Sequence, residues 1–177
     1  MDFQLRRALP EDAPAIAAIY APYVEGTVIS FEVAPPSASE ITMRMEKVKL
    51  AGLPYLVAEA RDGVVLAYAY AGLFHARAAY RHTVENAVYV AQDQRKQGIG
   101  TALMQRIIDD CTACDCRQML ALISGQGAEA SIAMHTRLGF APIGTLRAVG
   151  FKFGRWIDVI QMQRQLGAGD GLAARPS

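Results

Sequence analysis

The sequence predicts a mixed α/β (α+β) domain, with about seven strands in one central, mostly antiparallel sheet flanked by about four helices. Three observations carry this expectation. Apolar strand-like runs and helix-periodic segments follow one another in the order β-α-α-β-β-β-α-β-α-β-β. A tight Arg61-Asp62-Gly63 turn joins two apolar runs, a hairpin signal. A third apolar run ends in a glycine-bearing polar loop that opens into a helix, as in a strand–turn–helix unit.

Taken in order, Phe3 to Ala8 alternates as a first strand, and Pro10-Glu11-Asp12-Ala13 reads as a helix start. Ile16, Ile19, Tyr20 and Tyr23 keep helical spacing to about Val24. Val28 to Phe31 is a short apolar piece running into Pro35-Pro36, which cannot continue a helix or a central strand. Ser37 or Ser39 caps a second helix, from Glu40 to about Leu50, ended by Gly52 and Pro54. Tyr55 to Ala60 and Val64 to Gly72 are the hairpin strands, Leu73 to His82 a loop, and Thr83 to Val90 the next strand. Ile99, Leu103, Ile107, Ile108 and Cys111 make one helical stripe. Gln118 to Ile123 is a buried strand, Ser124 to Gly127 a turn, and Ala128 to Leu138 a helix closed by Gly139. Phe140 to Gly150 and Trp156 to Gln163 are the last two strands. Residues 1–166 form a single domain, and the Gly- and Ala-rich stretch 167–177 is expected to be loosely held.

A chain of 177 residues with 52% hydrophobic and 20% charged residues is an ordinary globular composition. A formal net charge of +1 gives no electrostatic reason to expect nucleic acid as a partner. The N-terminus lacks a signal peptide's apolar core and no apolar run approaches a membrane span, so a cytoplasmic protein without membrane contact is expected. Cys111, Cys114 and Cys116 lie too close together, with no second Cys/His pair at ligand spacing, to close a four-ligand zinc site. They read as reduced structural thiols, and no metal is expected.

The stretch Val88 to Leu103 is the chemical focus. Gly98 and Gly100 let the backbone approach a ligand, and the first N–H groups of the following helix have no internal partner. The helix dipole adds positive potential, so Gln94 to Thr101 should hold a phosphate. A dinucleotide fingerprint fails, because Leu103 stands in place of its third glycine and Met119-Leu120-Ala121 stands where an acid is needed. A Walker loop fails for want of Gly-Lys-Ser or Gly-Lys-Thr.

What remains, Arg95-x-x-Gly98-x-Gly100, resembles the acyl-CoA loop of the GNAT N-acetyltransferase superfamily. Ser131 to Phe140, ending in Leu138-Gly139-Phe140, is similar to that family's later helix. A closer resemblance runs from Leu5 to about Leu166, through Ala76 to Tyr80, Thr83 to Val90 and Leu146 to Val159, to the phosphinothricin and methionine sulfoximine N-acetyltransferases. It implies a GNAT fold and acetyl-CoA as co-substrate. The reaction implied is acetyl transfer to the α-amine of a small amino-acid-like compound, by a homodimer. The cofactor residues implied are Val88, Tyr89, Val90, Arg95, Lys96, Gln97, Gly98, Ile99, Gly100, Thr101 and Ser131.

The chemistry needs a base. An alkylammonium of pKa near ~10 is neutral about once in a thousand molecules at pH 7, a penalty of roughly 4 kcal/mol. Glu85 sits mid-strand among apolar residues, just upstream of the loop, where a carboxylate is costly without a role. The resemblance places the proposed catalytic glutamate there; an ion pair with Arg77 or Arg81 is the structural alternative. The family's thioester-oxygen donor is a backbone N–H near Tyr89 or Val90, and His135 stands where many members carry a tyrosine acid. Ala128 stands where the family often has Asn, with Gln126 as a conceivable substitute.

For the substrate carboxylate Arg77 offers bidentate geometry. The resemblance adds Phe31, Tyr80, Tyr89 and Lys152 to the substrate side, with packing or solvation as their alternative roles. Acetylation of a peptide N-terminus or polyamine, and an acyl-CoA-binding module without chemistry, are the rival functions. The basic Leu73–His82 loop disfavours a polyamine site, and Glu85 disfavours the loss of chemistry.

Overall fold

A computed structural model describes residues 2–125 and 127–171. The seven strands are β1 (Phe3–Arg7), β2 (Tyr55–Ala60), β3 (Val65–Leu73), β4 (Thr83–Val90), β5 (Gln118–Ser124), β6 (Ala141–Lys152) and β7 (Arg155–Gln165). The helices are α1 (Ala13–Gly26), α2 (Ala38–Leu50), α3 (Ile99–Ala113) and α4 (Glu129–Arg137). They build one sheet in the order β1-β2-β3-β4-β5-β7-β6. Every neighbouring pair is antiparallel except β4 and β5, which run parallel.

Strand alternation divides the residues between two faces. Leu56, Ala58, Ala67, Ala69, Ala71 and Val84 point to one face, and their small or branched side chains let α3 lie close, burying Ile99, Leu103, Met104, Ile107 and Ile108. Tyr55, Val57, Tyr68, Tyr70, Glu85, Ala87 and Tyr89 point to the other, beneath α1 and α2.

Helix starts differ in how they are satisfied. Ser37 caps α2, its hydroxyl accepting the Glu40 N–H at 3.2 Å. The first helix begins at Ala13, three residues later than its acidic start suggests. Pro10–Asp12 winds as a tighter 3-10 turn, held because the Asp12 carboxylate accepts from Leu9 N–H at 2.8 Å and pairs with Arg6 at 2.7 Å.

Other boundaries shift for similar reasons. Residues 27–32 form no regular element. Thr27 Oγ1 donates to Tyr23 O and accepts from Ile29 N–H, so the chain turns rather than extends. The loop before β4 contains a short 3-10 turn at Ala78–Tyr80. The β6–β7 hairpin turns at Phe153 and Gly154, both at positive φ (52° and 73°), the backbone of a tight hairpin turn. The described part of the tail folds back, with Gly169 N–H bonded to Leu166 O at 2.9 Å; residues 172–177, and with them the rest of that expectation, lie outside the described residues. No helix among the described residues is long and apolar enough to cross a membrane.

Candidate active site

The site begins where the sheet fails to close. β4 and β5 pair only at Thr83↔Gln118, Val84↔Met119 and Glu85↔Leu120; beyond that point they diverge as a fork. Asn86 sits in the crotch. Its amide Nδ2 donates to Leu120 O at 2.9 Å, standing in for the missing ladder. The gap above is a cleft of about 170 Å³ lined by Glu85 to Tyr89, Ala121 to Ser124, Ser131 and His135.

Backbone direction along β4 follows from its register. Ala91 N–H bonds to Leu66 O and Thr83 O accepts from Phe74 N–H, so odd-numbered main-chain groups face β3. Those of Asn86, Val88 and Val90 therefore face the fork. At Val90 the Tyr23 hydroxyl donates to the carbonyl at 2.6 Å and accepts the N–H at 3.3 Å. That leaves Val88 N–H as the donor directed into the cleft. Of the two donors expected from the sequence, Val90 N–H is the one met by Tyr23, and Tyr89 N–H turns the other way, toward β3.

Past Val90 the chain makes a 3-10 turn at Gln92–Gln94 and passes through two left-handed residues, Lys96 (φ 64°) and Gly98 (φ 81°). It then enters α3 with no side-chain cap and no acidic residue in the first turn. Ala102 N–H is bonded to Gly98 O, so the N–H groups of Ile99, Gly100 and Thr101 precede the first closed turn. Unlike α2, this helix start spends nothing of its own on them, which is what an anion needs. Gly100 faces Val88 and Val90, whose methyl carbons lie 3.8 and 3.4 Å from where its Cβ would be. Arg95 folds back over the Tyr23 ring at 4.9 Å. Ser131 is on the first half of α4, across the cleft.

Glu85 lies on the α1/α2 face beside the cleft, half-buried, and burial pushes its carboxyl above the usual range. Among the described residues it forms no ion pair, so the expected structural alternative with Arg77 or Arg81 is not what holds it. His135 is 2% exposed, and both its nitrogens face oxygens. Nε2 lies 3.0 Å from Asn86 Oδ1, whose amide nitrogen is committed to Leu120, so a proton on Nε2 is donated to Asn86; the neutral ring, with one N–H, cannot then donate from Nδ1 as well. Nδ1 lies 2.8 Å from Ser131 O and 3.4 Å from its hydroxyl. Burial pushes His135 down, toward the neutral form. Tyr89 packs edge-on against Tyr20 and Tyr23 at 4.7 and 5.1 Å, and burial raises its phenol well above normal, keeping it protonated near neutrality.

The expected substrate residues are scattered. Arg77 is exposed at the start of the Ala78–Tyr80 turn, and Tyr80 packs with Phe74 and His75 at 5.8 and 4.9 Å. Phe31 rests on β6, its ring lying where a Cβ on Gly150 would be, which explains glycine there. Lys152 is corrected: its ammonium donates to Val24 O, Thr27 O and Ser30 O at 2.7, 3.0 and 2.7 Å, which leaves no proton for a substrate carboxylate. It pins the connection after α1 instead. Ala128 is buried at the start of α4, and Gln126 lies outside the described residues. Cys111 and Cys116 are buried and Cys114 is exposed, all as free thiols.

Sequence reasoning missed Asn86, Tyr23 and a second, larger groove of about 460 Å³ on the α1/α2 side. The signal for the groove was available: tyrosines at 68 and 70 and at 55 fall on the same face as Glu85 once the hairpin is paired.

Comparison with known proteins agrees with this construction. Residues 5–161 match the family described as an acetyltransferase (GNAT) domain. A phosphinothricin N-acetyltransferase of Alcaligenes faecalis is 49% identical over 160 residues, covering 90% of this chain and 81% of the relative. An L-methionine sulfoximine/L-methionine sulfone acetyltransferase of Pseudomonas paraeruginosa is 38% identical over 166 residues, covering 94% and 96%. The crystal structure of a GNAT superfamily phosphinothricin acetyltransferase from Sinorhizobium meliloti in complex with acetyl-CoA superposes with a TM-score of 0.95 at 41% identity. That superposition covers 100% of this chain and 95% of that one. The forked sheet, the uncapped α3 and these likenesses over most of the chain agree: the protein belongs to the GNAT acetyltransferase family, as a phosphinothricin-acetyltransferase-like acyltransferase.

Proposed function

We propose that the protein transfers acetyl from acetyl-CoA to the α-amine of a small amino acid or analogue of the phosphinothricin, methionine sulfoximine or methionine sulfone type. Attack is direct, with Glu85 as general base. The observation that carries this reading is a half-buried carboxylate, without an ion pair among the described residues, at a strand fork whose other side is an uncapped helix start.

The N–H groups at Ile99 to Thr101 take the CoA pyrophosphate, with Arg95, Lys96, Gln97 and Gly98 shaping the loop and Ser131 across the fork. The thioester lies in the narrow cleft, its carbonyl oxygen toward Val88 N–H, with Tyr89 and Val90 following on the strand. The acceptor enters as an ammonium ion, and Glu85 removes its proton. Burial raises the pKa of Glu85, which makes the ionised carboxylate a stronger base for that proton. The nitrogen lone pair forms the C–N bond, negative charge gathers on the oxygen facing Val88, and collapse breaks the C–S bond. The CoA thiolate takes the proton that nitrogen loses as the amide forms.

His135 fits a positioning role better than the direct acid role expected from the sequence. Both ring nitrogens are occupied and its ring is held edge-on by Phe140 at 4.9 Å. It orients Asn86, and Asn86 keeps the fork open. Arg77 is the group for the acceptor carboxylate, with Tyr80 and Phe31 as neighbouring aromatic surface.

The reading includes a homodimer in the cytoplasm. Edge strand β6 and its hairpin expose Ile143, Leu146, Val149, Phe151, Phe153 and Trp156, a contiguous apolar edge of the kind a second copy covers. The test is a thiol-release assay with acetyl-CoA across amino acids, methionine sulfoximine, methionine sulfone, phosphinothricin, polyamines and peptides. Turnover confined to α-amino acids and analogues is expected; preference for polyamines or peptides would overturn it.

A further inference from the structure

The last residue of β4, at the entrance to the anion loop, is held differently on its two sides. Toward β3 the ladder continues past the strand's end, with Ala91 N–H bonded to Leu66 O at 2.9 Å. Toward the fork β5 has already diverged, so the Val90 N–H and carbonyl have no strand to pair with. A side chain from α1 takes that strand's place. The Tyr23 hydroxyl donates to Val90 O at 2.6 Å and accepts from Val90 N–H at 3.3 Å. At the crotch the Asn86 amide does the equivalent, bonding Leu120 O. The unpaired run of β4 is thus pinned by a side chain at each end.

Tyr23 does more than satisfy one residue. It is 6% exposed, in the last turn of α1, and Thr27 Oγ1 closes on its carbonyl at 2.7 Å. Its ring meets Tyr89 edge-on at 5.1 Å, and Tyr20, three residues earlier on the helix, meets the same ring at 4.7 Å. These contacts make the hydroxyl a fixed point against which Val90 is set. The face of the Tyr23 ring carries the Arg95 guanidinium, 4.9 Å from its centroid. Arg95 is exposed and forms no ion pair among the described residues. The chain therefore leaves Tyr23 at Val90 and returns to it at Arg95, closing the segment ahead of α3 on one side chain. Val90 also reaches the helix: its methyl carbon lies 3.4 Å from where a Cβ on Gly100 would be, in the first turn of α3. A shift of Val90 moves the strand end, the loop and that first turn together.

We propose that Tyr23 is a positioning residue for the acyl donor. It sets the end of β4 and the Arg95 loop at the spacing the CoA pyrophosphate needs, and touches no reacting atom. This rests on the proposed function for the donor's place at the α3 start. It gives a helix on the opposite face of the sheet from α3 a direct part in donor binding. Without the hydroxyl, the strand end holds its binding position only part of the time, and apparent affinity falls by that fraction.

The experiment measures CoA binding by calorimetry in the wild type, Tyr23→Phe, Tyr23→Leu, Arg95→Ala and the Tyr23→Leu/Arg95→Ala double variant. Steady-state kinetics with methionine sulfoximine gives the KM of donor and acceptor. Melting temperature verifies folding, which Tyr23→Phe preserves best because the buried ring remains. Tyr23→Phe should weaken CoA binding at least about fivefold, raise the acetyl-CoA KM in parallel and change the acceptor KM by less than about twofold. Tyr23→Leu should lose about two- to fivefold more, through Arg95 losing its platform. Arg95→Ala should then weaken CoA binding less in the Tyr23→Leu background than in the wild type, the sign that the two act as a unit. Unchanged CoA affinity in Tyr23→Phe, equal Arg95→Ala losses in both backgrounds, or donor and acceptor KM rising together would each overturn the proposal. So would tighter CoA binding by Tyr23→Phe, which would mean that the hydroxyl competes with the donor for Val90. If methionine sulfoximine is not turned over, the calorimetric series decides alone. A wild type that binds no CoA would bring down the proposed function as well.

Discussion

On the α3 side of the fork, the polar groups on offer are main-chain: Val88 N–H and the first N–H groups of α3, set by two left-handed residues within one short loop. On the α1/α2 side they are side chains drawn from distant segments: Tyr20, Arg44, Tyr55, Tyr70 and His75, with Glu85 at the boundary. Backbone donors recognise what every acyl-CoA shares, whereas side chains can change one at a time. Under the proposed function, the difference teaches that donor recognition and acceptor choice would occupy separate halves of one sheet opening, joined at Glu85.

Substitutions can break or sharpen that division. The largest effect belongs to the boundary. Glu85→Gln should lower turnover about 10²–10⁴-fold with every acceptor while acetyl-CoA affinity changes little; steady-state kinetics beside calorimetric titration checks this, and unchanged turnover would remove Glu85 as base. On the acceptor half, Arg77→Ala removes a charged hydrogen bond of about 1.5–3 kcal/mol, raising the KM for carboxylate-bearing acceptors tenfold or more and leaving that for acetyl-CoA alone. Equal effects on both would join the halves again. On the donor half, Gly98→Ala forces a side chain into the left-handed region (φ 81°) at about 1–2 kcal/mol. It should weaken CoA binding five- to thirtyfold, equally for all acceptors. The smallest effect on chemistry is expected from Trp156→Glu on the exposed edge, which should halve the mass by light scattering and leave donor affinity alone.

The two halves also differed in how legible they were. A strand, a glycine loop and a helix start are contiguous, so Gly98, Gly100 and the α3 N-terminus could be located from spacing, and every strand of the sheet was anticipated in order. Glu85 stood out because a carboxylate interrupts an apolar strand. Lys152 was misread because nothing in its neighbourhood along the chain indicates that three carbonyls from residues 24, 27 and 30 converge on it. Asn86 was invisible for a related reason: its value lies in Leu120 and His135, 34 and 49 positions away. The groove required pairing β2 with β3 and laying two helices over them, which is tertiary information. Val88, rather than Tyr89 or Val90, emerged as the cleft-facing donor only once the register gave the backbone a direction.

The most direct test is the pH dependence of kcat/KM for wild type and Glu85→Gln. Burial raises the Glu85 pKa, so below that raised value the base is protonated and wild-type kcat/KM should fall with decreasing pH. Above it, an ammonium acceptor meets an ionised base and the profile should be level until the amine itself titrates. Without the carboxylate, only the free amine reacts, so the variant should climb with about unit slope from acid pH toward the amine's own pKa, with no plateau below it. A variant that keeps the wild-type acid limb and plateau would contradict the placement of the base at the fork.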